Sequence, residues 1–455
     1  MNILIGLLPA IGFIFIGLVF ISSVIEKQWR AVCVSLTLEI VYTLFWFFLY
    51  VNKYQVFAQI IIYIITALVV LFTMASLIKY FPEEDEKQYD IEQFDEREHM
   101  FSRNQLQYHP DLASKFYAAH PEFKEIDHKI NNQPELGEEG GRFYDKYFAA
   151  IPEASFRLLD RSRFLATGTA ENDITNLSLE KLTQTIKFIA KFYGAADVGI
   201  TKIKQYHLYS HRGRHSEYWG QKVKTTHKTA VVIVTAMDQE LYRYSSSLPV
   251  LMESARKYVE SAKIAHIIAE YLRMFGFESR SHVDGEYEVL CVPLSRDAGL
   301  GNVGRLGLFI HKNLGPCVRL SVVTTEAELP VSVNKPDESI EHFCRICKKC
   351  SDNCPTKSIP SDEKPVSRGF PHWSVHQETC YSYWKTIGTD CGFCIKVCPY
   401  NKPNTLLHKL ARFYISRNPL NQRIALFIDD FLYGRKIKLP DKNPDLFSIA
   451  KQKYS

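Results

Sequence analysis

The chain has 455 residues, too many for one compact core, so two or three units are expected. Its formal charge of +5 is a mild excess spread along the sequence and gives no reason to expect a nucleic-acid partner. Eight of the 11 cysteines fall between Cys344 and Cys398, which reads as metal ligation rather than a disulfide framework, while Cys33, Cys291 and Cys317 lie in apolar runs as buried thiols would.

Three apolar stretches open the chain, residues 3–25, 31–51 and 56–78, each near the ~20 residues that cross a bilayer as a helix. They predict an all-α, three-helix transmembrane anchor over residues 1–80, since a cleavable signal peptide carries only one short apolar run. Lys27 and Arg30 in the first loop and Lys79 after the third stretch outnumber Lys53 in the second loop. The positive-inside rule then puts the amino terminus outside and the remainder of the chain in the cytoplasm, making this an integral protein of the bacterial cytoplasmic membrane. The lack of a twin-arginine signal agrees. Glu39 lies inside the second stretch, where an ionisable group is costly. It is a candidate for proton or quinone chemistry, with a neutral, hydrogen-bonded or snorkelling side chain as the plainer reading.

Residues 81–98 turn acidic and read as a solvated linker, the start of an N-terminal extension over 81–155. Beyond it the signals alternate between helix and strand. Residues 229–237 (TAVVIVTAM), 287–294 (YEVLCVPL) and 318–325 (VRLSVVTT) predict buried strands. Residues 251–275 carry apolar side chains at helical spacing, with Gly276 as the stop. This predicts an α/β domain over 156–335.

Cys344, Cys347, Cys350 and Cys354, followed by Pro355, spell C-x2-C-x2-C-x3-C-P, the bacterial ferredoxin run, in which the fourth cysteine serves the other cluster. Cys391, Cys394 and Cys398 with Pro399 supply the second run, and Cys380 is the remaining candidate ligand. The expected sets are Cys344, Cys347, Cys350 and Cys398 for one 4Fe–4S cluster, and Cys380, Cys391, Cys394 and Cys354 for the other, within a ferredoxin-like domain over 336–405. Zinc also takes four thiolates at C-x2-C spacing but has no use for the further cysteine and the closing C-P. Two clusters in series conduct single electrons, so an acceptor that performs chemistry is expected nearby.

These motifs, with AGLGNVGRLG at 298–307 and GPCVRLSVVTT at 315–325, resemble the reductive dehalogenases, corrinoid iron–sulfur enzymes that replace carbon–halogen by carbon–hydrogen. The resemblance implies a nitroreductase-like domain binding a base-off corrinoid, and an organohalide substrate. It implies Tyr258 as proton donor, Arg319 as the cation that lowers the phenol pKa, and Ala298, Gly299, Leu300, Gly301 and Arg305 as corrinoid contacts. A third polar group, asparagine or lysine in the family, falls on Asp284, with His282 as the substitute. The three apolar stretches resemble the family's separate anchor subunit, so the chain reads as a fusion of the two. Residues 406–455 are expected to pack on the catalytic domain, and electrons to come from the quinol pool or a ferredoxin-like protein. The alternatives are a membrane-bound electron-transfer protein with no substrate, and an enzyme like epoxyqueuosine reductase.

Overall fold

The computed structural model describes residues 2–52, 56–81, 89–171, 177–333, 335–440 and 442–454. Lys53 and the acidic residues 82–88 lie outside them. The chain divides into a smaller unit, Met1–Asp85 with Pro403–Ile437, and a larger one, Glu86–Lys402 with Lys438–Ser455.

In the smaller unit, α1 (Asn2–Ile25), α2 (Trp29–Val51) and α3 (Val56–Leu77) are long and apolar enough to cross a membrane. Their apolar side chains point mostly outward, the reverse of a water-soluble bundle. Trp46, Leu49 and Ile62 pack between the helices with Leu8 and Tyr42, and the Tyr42 hydroxyl donates to the Leu8 carbonyl at 3.0 Å. Both carboxylate oxygens of Glu39 are buried and have no hydrogen-bond partner among the described residues.

The larger unit is built on a four-stranded sheet. Its strands are β1 (Asp197–Lys202), β2 (Thr229–Ala236), β3 (Ser279–His282) and β6 (Val318–Thr325), in the order β1-β2-β6-β3, every pair antiparallel. Strand alternation splits its side chains between two cores. Val231, Ile233 and Val323 face α4 (Leu179–Phe192) and α5 (Leu248–Met274), while Ala230, Val232 and Val234 face Leu294, Ala298, Leu300 and Phe309. A small ribbon, β4 (Gly301–Val303) with β5 (Phe309–His311), stands beside the sheet. Gly276 ends α5 at a φ of 84°, a left-handed conformation that glycine adopts without strain.

Three expectations are corrected. Residues 287–294 do not form a strand: a helix runs from Cys291 to Asp297, because Pro293 offers no N–H to a ladder yet fits a first helical turn. The later part of the expected linker is packed rather than solvated. Phe94 bridges to Tyr209, and buried Glu96 accepts the Gly213 N–H at 2.8 Å. Burial raises the Glu96 carboxyl to about 7. The segment after residue 405 is also divided, since α6 (Leu406–Ile415) and α7 (Pro419–Tyr433) belong to the smaller unit. Their buried faces are polar and match the hydrogen-bonding groups at the helix ends of the anchor.

Candidate active site

The site starts on α5, where Ser254 and Tyr258 are four residues apart and share a face. Arg319, second residue of β6, lays its guanidinium carbon 4.8 Å from the centre of the Tyr258 ring. It donates to the Ser254 hydroxyl, and its charge stands 3.6 Å from the Asp390 carboxylate. Ser254 in turn donates to Asp390 at 2.5 Å. Asp390 immediately precedes Cys391, so this chain of contacts ties the phenol's surroundings to the cysteine loop. The Arg319 Nε is buried and has no hydrogen-bond partner among the described residues.

Burial dominates the electrostatics of the phenol. It raises the Tyr258 pKa to about 12; Arg319 pulls down, Asp284 and Asp390 push up, and Arg214 pulls down. The expectation that Arg319 would bring this phenol below its ordinary value is therefore corrected: the arginine acts in the expected direction, but desolvation and two carboxylates outweigh it. Burial likewise raises Asp390, against the pull of Arg319.

One cavity of about 1040 Å³ joins these groups to the thiols. Tyr258, Arg319, Asp284, Arg214 and Asp390 border it, together with Cys354, Cys380, Cys391 and Cys394. Those four are the whole of one expected ligand set. The thiols of the other set do not border it, but they stand together: burial raises Cys398 well above its ordinary value, and Cys344, Cys347 and Cys350 raise it further. For Cys394 burial leads again, followed by Cys391, Cys380, Cys350 and Cys354. Burial takes Cys380 to about 12, with Cys391 and Cys354 adding to it, so its thiol stands near two members of its expected set. Among the described residues no three His, Cys, Asp or Glu side chains close on a single metal ion. Thiolates bound to the corners of a four-iron cube stand farther apart than ligands of one zinc.

The cavity exceeds the roughly 300–1,000 Å³ usual for small-molecule sites. Leu306, Leu308, Phe156, Val375 and Phe393 give it apolar walls. With the unpartnered Arg319 Nε at its edge, it fits a large, mostly apolar cofactor with polar substituents.

Of the glycine-rich segment Leu306 borders this cavity, whereas the expected cofactor contacts Ala298, Gly299, Leu300, Gly301 and Arg305 do not. Ala298 and Leu300 are core residues packed so closely on β1 that a Cβ at Gly199 would lie 2.9 Å from Ala298. A Cβ at Gly301 would lie 2.0 Å from the Ile310 carbonyl oxygen, so glycine there serves the close β4–β5 pairing. Gly299 lies in the turn before β4, at a φ of 70°. Arg305 is buried and holds the cysteine loop instead, donating to the carbonyls of Cys344, Pro360 and Asp362 at 3.0, 2.9 and 2.7 Å. His282 is bound to Thr324 at 2.8 Å and to the Glu288 N–H at 3.1 Å and does not border the cavity, whereas Asp284 does.

Sequence reasoning missed Ser254, Asp390 and Arg214. The first two carried a signal, one helical turn before Tyr258 and one residue before Cys391; Arg214 carried none, since it reaches the cavity from the irregular segment 203–228.

Residues 343–402 match the family model of the 4Fe–4S dicluster domain. A tetrachloroethene reductive dehalogenase of Desulfitobacterium hafniense is 33% identical over 216 residues, 45% of this chain and 38% of that protein. An epoxyqueuosine reductase of Lactococcus garvieae is 31% identical over a shorter stretch, 116 residues, 24% of this chain and 32% of that protein. A catabolic reductive dehalogenase solved with 3-bromo-4-hydroxybenzoic acid shares the fold, with a TM-score of 0.62 and 21% identity over 79% of this chain and 49% of that one. The chain thus spans well under half of that curated relative and about half of that solved chain. Over these stretches the chain is similar to reductive dehalogenases in sequence and shares the fold of the solved one, with a 4Fe–4S dicluster domain and three helices of membrane-spanning length in the same chain.

Proposed function

We propose that this chain is a membrane-anchored reductive dehalogenase that replaces a carbon–halogen bond by carbon–hydrogen. The observation that carries the reading is the single cavity bordered both by Tyr258, Arg319 and Asp284 and by the four thiols of one cluster set. An electron-transfer protein without a substrate would have no use for a buried phenol–guanidinium pair facing its cluster. The match to an epoxyqueuosine reductase covers less of the chain and does not favour that reading.

In the proposed site the cavity bordered by Cys354, Cys380, Cys391 and Cys394 would hold a corrinoid, in base-off form. When bound, it supplies the low-valent cobalt that delivers electrons to the organohalide. The protein's own residues do the remaining work. The two cysteine sets hold two 4Fe–4S clusters in series, the second beside the cavity. Tyr258 stays protonated throughout the neutral range and holds its proton at the phenol oxygen for the carbon that gains electrons. Arg319, with Ser254 and Asp390 fixing its guanidinium, stabilises the phenolate left behind. The apolar walls keep out water as a competing proton source. Asp284 faces Arg319 and Arg214, and those cations offset the repulsion its charge would exert on a departing halide.

Electrons come from the quinol pool or a ferredoxin-like donor, and the larger unit faces the cytoplasm. The deciding experiment is halide release by the reduced, full-length protein over a panel of chlorinated alkenes and halogenated phenols, with corrinoid measured in the same preparation. Corrinoid-loaded protein inert towards the whole panel would overturn the dehalogenase reading. Protein with full clusters and no affinity for cobamides would favour simple electron transfer.

A further inference from the structure

The hairpin of α6 and α7 is built inside out. Its buried face carries His408, Arg412, Asn421 and Gln422, with Ile415 and Leu432, while its exposed face carries Leu406, Leu410 and Phe413 on α6 and Leu420, Phe427 and Phe431 on α7. Those positions repeat at helical spacing, so each helix presents one continuous apolar stripe. Leu406 is 73% exposed and Phe427 70%. A helix pair in water would bury that stripe and expose its amides.

The polar face is used on the spans. Asn418 donates to the carbonyls of Ala75 and Ile78 at 3.2 and 3.0 Å, and Asn421 to that of Ser76 at 3.0 Å, satisfying carbonyls left over at the end of α3. The Tyr80 N–H donates to the Arg417 carbonyl at 2.8 Å. His408 meets Glu26, just past α1, at 2.8 Å, and Arg30, at the start of α2, donates to the Phe431 carbonyl at 3.3 Å. Three alternating crossings put the end of α1, the start of α2 and the end of α3 on one side of a bilayer. The hairpin touches all three and therefore sits at the level where the spans leave the hydrocarbon.

We propose that α6 and α7 lie in the membrane interface and insert the Leu406–Leu410–Phe413 and Leu420–Phe427–Phe431 stripes among the lipid acyl chains. Lys409 and Arg423, exposed on the same faces, extend to the phosphates. The partner is the lipid bilayer, because the stripes continue the outward apolar surface of the spans. The inference rests on the three spans and is independent of the catalytic reading.

The test uses the full-length chain reconstituted in vesicles of phosphatidylethanolamine and phosphatidylglycerol, with a benzophenone amino acid at Phe427 or, separately, at Leu410. Irradiation is expected to give peptides carrying a phospholipid as the main adduct at both positions. Cross-links between two copies of the chain in place of lipid adducts would overturn the proposal in favour of a dimer face, and products from neither source would mean that the stripe faces water. Phe427→Trp provides a second readout that disturbs packing little. Its added emission is expected to be quenched at least twofold by lipids brominated on the acyl chain, and unquenched emission would overturn the insertion.

Discussion

At the residue scale the proposed chemistry turns on how burial and charge divide the control of one phenol. Because the Tyr258 pKa rises from 10.0 to about 12 on folding, its proton favours the native state fully below pH 10, and that contribution is lost as pH climbs towards 12. Halide release should therefore show no alkaline limb from this group below about pH 10, which a rate profile between neutrality and that limit checks. Tyr258→Phe is expected to keep clusters and corrinoid and lose roughly 10²- to 10⁴-fold in turnover, the usual worth of a positioned proton donor. Ser246 offers a test that does not depend on turnover. It is held at a φ of 65° by its N–H bond to the Cys391 carbonyl at 2.6 Å, and its hydroxyl stands 3.2 Å from the Cys391 sulfur. A hydrogen bond to a cluster thiolate favours the reduced state. At about 1 kcal/mol for the bond, Ser246→Ala should lower the potential of the cavity-side cluster by on the order of 40 mV in a redox titration followed by electron spin resonance.

At the scale of elements, the loop that carries the first cysteine run depends on one side chain from the β4–β5 ribbon. Arg305 neutralises a turn full of carbonyls and packs its guanidinium 4.6 Å from the centre of the Trp373 ring. Arg305→Met would leave those carbonyls buried without donors, a loss of roughly 3 kcal/mol or more. The expected outcome is iron loss from the set Cys344, Cys347, Cys350 and Cys398, with corrinoid binding retained, measured by metal content and absorbance. The glycines around Arg305 illustrate how much sequence leaves open. AGLGNVGRLG could have been a cofactor cradle or a tight ribbon, and only the approach of Ile310 to Gly301 distinguishes the two. The sequence pattern over 287–294 misled for a related reason: alternation and β-branched residues argued for a strand, and the single Pro293 outweighed them.

Across the whole molecule, electrons should pass through two clusters of unequal position. Cys398→Ser and Cys394→Ser are each expected to reduce iron from about eight atoms per chain to about four. They should differ in effect: loss of the cavity-side cluster, through Cys394, should also perturb the absorption spectrum of bound corrinoid, and loss of the other should not. The sequence by itself supplied the expected cysteine sets, the three apolar spans and the proposed Tyr258–Arg319 pair. Ligand runs follow from local spacing, spans from continuous hydropathy, and the pair from family motifs. Tertiary structure alone decided which thiols face the cavity, how burial outweighs Arg319 at the phenol, and that Pro403–Ile437 belongs with the spans. Each of these depends on atoms brought together from distant parts of the chain, where desolvation and packing act without a local signature.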